Sequence, residues 1–493
     1  MIKYRSTRGS DVTKDAAEAV IQGIAEDNGL YVPEHIPTLP FHIETMKGKA
    51  YRDFAFEVIK RFFTDYTDDE IRTCVAGAYD EKFEKPEIVP VVKAGDAYFL
   101  ELYHGKTAAF KDMALSILPY LLKTAMNKKK EDKKVCILTA TSGDTGKAAL
   151  EGFADVDQTE IIVFYPNQGV SEVQERQMVT QEGQNTHVFA IKGNFDDAQT
   201  GVKKIFKDAA FAAKLFEMGY KLSSANSINI GRLVPQVVYY VYGYSKLVED
   251  GVIQSGDKIN IVVPTGNFGN ILAAYYAKEM GIPVNKLICA SNENNVLTDF
   301  IKTGKYDINR DFYLTNSPSM DILISSNLER LLYHLSGGNA AEIKSLMESL
   351  EKNKSYEVSD TVKQGLKAFY GGFADASQTN EAIARMYKDN GYLMDTHTAV
   401  AYQVYEDYKA NTKDDTVTLI ASTASAYKFA ESVAESIGLG EEKDGFGYLK
   451  SLNENTGVQV PKALDGLQEK KIRHTGVLNI NEMQDAVEKT LAK

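Results

Sequence analysis

Two rhythms of apolar residues divide this chain. Over residues 1–90 they recur three and four apart, as in DAAEAVIQGIAED (15–27) and YRDFAFEVIKRFF (51–63), which predicts a mainly helical N-terminal domain ending in the Pro-bounded EKPEIVPVV. From there to about residue 300, short β-branched runs alternate with helical stretches. The runs are VCILTA (135–140), EIIVFY (160–165), HVFAIK (187–192), INIVVP (259–264) and KLICAS (286–291), with TVTLIAS (416–422) as a late strand of the same kind. Such runs fit strands buried on both faces, so the predicted class is α/β, with parallel sheet flanked by helices and ligands bound at the carboxyl ends of strands. Residues 340–412 read as helical and 440–493 as a mixed C-terminal extension, leaving 91–439 as the core.

Three strand ends open into Gly-rich or small polar loops that run into helices: TATSGDTGKAAL (139–150), PTGNFGNILAAYYAKE (264–279) and ASTASAYKFAESVAE (421–435). A turn of this kind presents unpaired N–H groups and the positive end of a helix dipole, so it can hold a phosphate or carboxylate. One such loop is equally well explained as an ordinary strand-to-helix turn. Three on one sheet are the expectation that points to a site. A nucleotide P-loop is excluded, because Gly146-Lys147 has Thr141 for the first glycine and Ala148 for the hydroxyl, and Gly105-Lys106-Thr107 has Leu100 for the first glycine.

A candidate nucleophile lies in HGKTAAFKD (104–112). Apolar residues at 110, 113, 114, 117, 118, 121, 122 and 125 predict one helix with a buried stripe, kinked at Pro119, and Lys111 stands in its first turn. Partial desolvation and nearby helix-terminal N–H groups there would favour the free amine that imine chemistry requires. Position alone does not distinguish Lys111 from a surface lysine.

Composition narrows the class. The 493 residues are 44% hydrophobic and 25% charged, as in soluble globular proteins, and a net charge of −12 argues against nucleic-acid and anionic-membrane partners. The basic run Lys128 to Lys134 is broken by Glu131 and Asp132 and reads as a solvated turn. Cys74, Cys136 and Cys289 are widely spaced, which provides neither a disulfide framework nor CxxC metal ligands, so no metal is expected. The N-terminus MIKYRSTRGS has no apolar leader core and no stretch reaches the length of a membrane span, so a cytoplasmic location is expected.

HGKTAAFKD resembles the cofactor-lysine motif of threonine synthases, written HGPTxAFKD in that family. YRSTRG (4–9), GIAEDNGLYVP (23–33), FYPNQGVSEVQERQM (164–178), GNFDDAQ (193–199), NSINIGR (226–232), SPSMDI (317–322) and DTHTAV (395–400) resemble further blocks of it in order. The resemblance implies pyridoxal phosphate (PLP) fold type II, similar to the β subunit of tryptophan synthase, with two α/β subdomains in the core. It implies conversion of O-phospho-L-homoserine and water to L-threonine and phosphate, with PLP held as a Schiff base on Lys111. Carried over by position, Gly266, Asn267, Phe268, Gly269 and Asn270 cradle the cofactor phosphate, and Thr423 faces the pyridine nitrogen. Ser142, Gly143 and Thr145 receive the substrate carboxylate, and Asn226, Ser227, Asn229 and Arg232 its phosphate. The resemblance also implies a monomer or small homo-oligomer.

The chain departs from the family pattern at three places. Lys106 replaces the usual proline, placing a positive charge either near the substrate phosphate or in solvent. Asp144 stands where other fold type II enzymes have an asparagine near the cofactor's 3′ oxygen, and needs a proton or a donor there. ASTASAYKF lacks the His-Pro pair that follows the threonine, while Thr423 and Lys428 remain. Two other readings stay open: a dehydratase or phospho-lyase yielding a 2-oxo acid, and a non-catalytic binding protein on the same fold.

Overall fold

The computed structural model describes residues 1–141, 143–167 and 170–492. The N-terminal part is helical as expected, with α1 (Ala16–Gln22), α2 (Tyr51–Phe62) and α3 (Asp68–Ala78), and it also carries a small antiparallel pair, β1 (Tyr4–Ser6) with β2 (Tyr31–Pro33). Asp15 and Thr67 close capping boxes at the starts of α1 and α3, satisfying donors that would otherwise be orphaned. The pattern missed β3 (Val91–Ala94) and β4 (Ala97–Glu101), a hairpin hidden by the flanking prolines.

The predicted single helix over 110–125 is two, α4 (Asp112–Leu115) and α5 (Leu118–Lys129). Pro119 does not kink a continuous helix. It sits in the first turn of α5, where its missing N–H costs nothing, and the chain breaks just before it. The buried stripe runs across the break, since Met113, Leu118, Leu121, Leu122 and Ala125 are all buried.

Next come β5 (Lys134–Ala140), α6 (Asp144–Phe153), β6 (Thr159–Pro166), α7 (Glu172–Val179), β7 (Thr186–Ile191), α8 (Phe195–Lys207), α9 (Ala209–Glu217) and β8 (Tyr220–Ser223). The buried α10 (Ile230–Glu249) leads to β9 (Ile259–Pro264), α11 (Gly269–Glu279) and β10 (Val284–Ser291). A small pair, β11 (Lys305–Asp307) and β12 (Ser355–Glu357), precedes β13 (Phe369–Phe373), β14 (Thr418–Ser422) and β15 (Gly476–Leu478). Residues 340–412 are therefore not wholly helical. β13 reads FYGGF, too short and too rich in glycine to show a strand period, yet it pairs with β10.

Two sheets dominate. A six-stranded sheet has the order β13-β10-β9-β14-β4-β3, parallel except for the β3–β4 hairpin, and a parallel five-stranded sheet has the order β15-β7-β6-β5-β8. The C-terminal extension thus supplies an edge strand to the second sheet. The three strand-end loops do not share one sheet. Those after β9 and β14 belong to the first and that after β5 to the second, because β9 and β14 are direct neighbours while β5 pairs with β6 and β8. Since β14 lies between β9 and β4 in parallel register, the chain leaving β4 toward Lys111 emerges beside both loops of its sheet. No helix among the described residues is long and apolar enough to cross a membrane.

Candidate active site

The lysine loop is locked before the lysine appears. Asp112 accepts the Thr107 N–H at 2.8 Å and the Thr107 hydroxyl at 2.6 Å, and burial pushes its own pKa up to about 6. On the other side the loop is zipped to the segment after β14. Phe110 N–H donates to Thr423 O at 2.8 Å, and Ser425 N–H donates to Ala108 O at 3.1 Å. Lys111 follows directly, as the residue capping α4.

Lys111 Nζ donates to Ser319 Oγ at 3.3 Å and lies 3.8 Å from Asp144 Oδ2. Burial lowers its pKa to about 8, partly offset by Asp144 and reinforced by the positive charges of Arg232 and Lys428. Burial thus brings the free amine, the form an imine-forming lysine needs, closer to neutral pH than in an exposed lysine. Ser319 is held in turn, because its N–H donates to His397 Nε2 at 3.1 Å. That leaves the His397 proton on Nδ1, directed at Asp395 Oδ2 at 2.9 Å. Asp395 also accepts the Thr398 hydroxyl, whose oxygen receives the Thr423 N–H at 3.3 Å.

Asp144 opens α6 and is almost fully buried. Burial alone would raise its pKa, but Lys428 and Lys111 hold it well below the usual carboxylate range. Lys428 Nζ lies 2.9 Å from Asp144 Oδ1 and donates to Gln177 Oε1 at 2.7 Å, while Gln174 Nε2 donates to Asp144 Oδ1 at 3.0 Å. Gly143, just before, has φ of 136°, a conformation side chains rarely adopt, and a Cβ there would meet the Gln174 amide at 2.7 Å. Its N–H donates to Thr141 Oγ1 at 3.0 Å, turned back into the loop. Thr145 is half-buried in the first turn of α6, and Ser142 lies outside the described residues.

The GNFGN loop stands at the start of α11, with Phe268 in the left-handed region at φ of 65°. A Cβ on Gly266 would come within 2.4 Å of Ser319 O, so only glycine lets the loop approach that segment. Asn267 O accepts from Asn327 N–H and from Asn327 Nδ2, both at 3.0 Å, and Asn327 Nδ2 also reaches Ser227 Oγ at 3.1 Å. Gly269 lies against Ser227 as well. Asn270 is gripped through its oxygen by the hydroxyls of Tyr239 and Tyr240, and its buried Nδ2 has no partner among the described residues. An orphaned amide donor in the first turn of an eleven-residue helix fits an anion such as a phosphate.

Of the predicted phosphate set, Arg232 is buried, donates to Ala225 O at 2.7 Å, and has an Nε with no partner among the described residues. Among the described residues no carboxylate pairs with it, and burial lowers its pKa to about 10. Ser227 is half-buried and Asn226 is exposed. Asn229 is instead committed to the backbone, since its oxygen caps α10 by accepting the Gly231 N–H at 2.9 Å and its amide donates to Val20 O at 3.0 Å. The structure thus brings Lys111, Asp144, Thr423, the GNFGN loop, Ser227 and Arg232 together, and adds Lys428, Gln174, Ser319 and His397, to which the sequence reading gave no role. The last two belong to the SPSMDI and DTHTAV blocks.

Three family models match the chain: threonine synthase N terminus over residues 3–79, pyridoxal-phosphate dependent enzyme over 90–423, and threonine synthase C-terminal over 398–490. The threonine synthase of Schizosaccharomyces pombe is 35% identical, with 100% of this chain and 99% of that one covered. This chain belongs to the threonine synthase family of pyridoxal-phosphate-dependent enzymes. Solved threonine synthases from Brucella melitensis, with PLP bound, and from yeast superpose with TM-scores of 0.88, at 33% and 31% identity, covering 100% and 99% of both chains respectively. The fold is accordingly PLP fold type II. Human threonine synthase-like 1 is 39% identical over 90% of this chain, which spans 59% of that protein's length. As a member of this family the chain uses pyridoxal phosphate, and the orphaned Asn270 amide, the glycine-only approach at Gly266 and the lowered pKa of Lys111 suit that cofactor.

Proposed function

We propose that the chain is a threonine synthase, converting O-phospho-L-homoserine and water to L-threonine and phosphate. The observation that carries the reading is a buried lysine of lowered pKa beside a buried, unpaired guanidinium, in a chain aligned end to end with a protein named threonine synthase. In this reading Lys111 holds the cofactor, Gly266 to Asn270 receive its phosphate at the start of α11, and the Thr423 hydroxyl faces its ring nitrogen. A neutral hydroxyl there leaves that nitrogen largely unprotonated. Bound so, pyridoxal phosphate supplies an aldehyde that condenses with amines and a ring that withdraws electrons from the substrate.

The Lys111 amine would take a proton from Cα and one from Cβ and return one to Cγ as phosphate leaves; the hydroxyl of water would then add at Cβ and a proton return to Cα. Thr145, with Ser142, receives the substrate carboxylate at the start of α6, and Gly143, whose N–H is committed to Thr141, serves by allowing the turn. Arg232 and Ser227, with Asn226, bind the substrate phosphate and stabilise it as it leaves, since a guanidinium fork suits a departing dianion. Asn229 serves by fixing the first turn of α10. We assign 1–90 to an N-terminal domain, 91–439 to the PLP-binding core and 440–493 to the C-terminal extension, in a cytoplasmic monomer or small homo-oligomer.

A second reading is motivated by the departure of ASTASAYKF, the loop after β14, from the family pattern: loss of phosphate followed by hydrolysis to a 2-oxo acid. The two diverge at the fate of one intermediate, so quantifying products from O-phospho-L-homoserine separates them. Threonine and phosphate in equal amounts are expected. Release of 2-oxobutyrate and ammonia would replace the first reading with the second, and no turnover in PLP-replete protein would remove both.

A further inference from the structure

Lys428 comes from the segment after β14, on the six-stranded sheet, but its ammonium is buried among groups of the five-stranded sheet. Its side chain is fully buried, and its contacts are Asp144 at the start of α6 and Gln177 of α7. Asp144 thus has two lysines, unequally placed. Oδ1 is committed to Lys428 at 2.9 Å and to the Gln174 amide at 3.0 Å, while Oδ2 is 3.8 Å from Lys111. The other charged groups acting on this cluster are Arg232 on Lys111, and Asp112 and Lys147 near Lys428.

A lone buried carboxylate beside Lys111 would capture it as an ion pair and keep it protonated. A neutral residue in its place would leave nothing to hold the proton that the lysine must give up and recover. The observed arrangement lies between these limits.

We propose that Lys428 is a positioning residue for the lysine chemistry: from across the boundary between the two sheets it neutralises Asp144, so that this carboxylate steers Lys111 without binding its proton tightly. The inference rests on the reading of Lys111 as the cofactor lysine. It assigns Asp144 and Lys428 as one unit that sets the proton affinity of the nitrogen on Lys111. Gln174 and Gln177, one turn apart on α7, hold the two members of that unit.

The test is a pH titration of the holoenzyme's visible cofactor band, read in the wild type and in Lys428→Met, Lys428→Arg, Asp144→Asn and the double variant Lys428→Met/Asp144→Asn. Removing a positive charge next to Asp144 raises the midpoint, and removing the carboxylate lowers it, each by about one pH unit. Lys428→Arg stays near the wild type, and the double variant lies between the single ones because its buried charge is balanced. Shifts of Lys428→Met and Asp144→Asn in the same direction, or no shift in either, would overturn the proposal. If Lys428→Met does not fold, the Arg and double variants carry the test alone: a double variant shifted as far as Asp144→Asn overturns it. A wild-type protein with no visible band sinks the reading of Lys111 instead, so the two failures are distinguishable.

Discussion

Helix α6 carries two carboxylates, each flanked by two lysines, and the two arrangements behave differently. At its start, Asp144 stands between Lys428 at 2.9 Å and Lys111 at 3.8 Å, with all three side chains largely out of water. Two turns on, Glu151 stands between Lys106 at 2.9 Å and Lys147 at 3.0 Å, beside an open cavity of about 610 Å³. Near the surface, Lys106 is 47% exposed and its pKa is raised: burial opposes the charge, but Glu151 outweighs it. Lys147 is more buried and its pKa is lowered, while Glu151 is held down at about 2 against its own burial by Lys147 and Lys106. Equal distances make an ordinary ion-pair cluster. Unequal distances in a dry site leave one amine, Lys111, only loosely paired and able to react. Lys106, the departure from the family's proline, thus belongs to the second arrangement.

Breaking the first arrangement has the largest expected effect. Lys111→Ala lowers kcat by about 10⁴-fold or more and abolishes the visible cofactor band, because no other group at the site can carry both the linkage and the proton transfers; steady-state kinetics and a spectrum check it. Arg232→Ala lowers kcat/KM for a phosphorylated substrate by about 10²-fold or more, the cost of losing a desolvated charged contact, and leaves the band in place. A smaller effect follows from pH. With the Lys111 pKa lowered to about 8, the amine is protonated below that value and neutral above it, so the rate at which cofactor-free protein captures added PLP rises with pH and levels off beyond about 8. A rate that stays flat from pH 6 to 9 contradicts the assignment. The smallest effect belongs to the second arrangement: Lys106→Ala changes stability by less than about 1 kcal/mol and leaves kcat unaltered, as half-exposed pairs do, and thermal unfolding with an activity assay shows whether it does.

The sequence revealed most of the fold through its buried parallel strands, since INIVVP and VCILTA have the uniform apolar run that two covered faces demand. It did not reveal β13 or β15, short edge strands whose pairing depends on distant partners. Nor did it show that the loops after β5 and β9 lie on different sheets, because strand order is not a local property. In the candidate site, motif and glycine spacing pointed to Lys111 and the GNFGN loop. Lys428, Ser319 and His397 were not, because their importance lies in contacts over 284, 208 and 78 residues of chain. Asn229 matched a motif but is occupied as a helix cap, which only its hydrogen bonds disclose.

The decisive question is which of these lysines carries the cofactor. Reducing the cofactor–lysine linkage of the holoenzyme with borohydride fixes the cofactor on whichever side chain holds it, and peptide mass mapping reads the position. A pyridoxyl group on Lys111 alone is expected. Label on Lys428, Lys147 or Lys106, or none on Lys111, would contradict the assignment of Lys111 as the cofactor lysine.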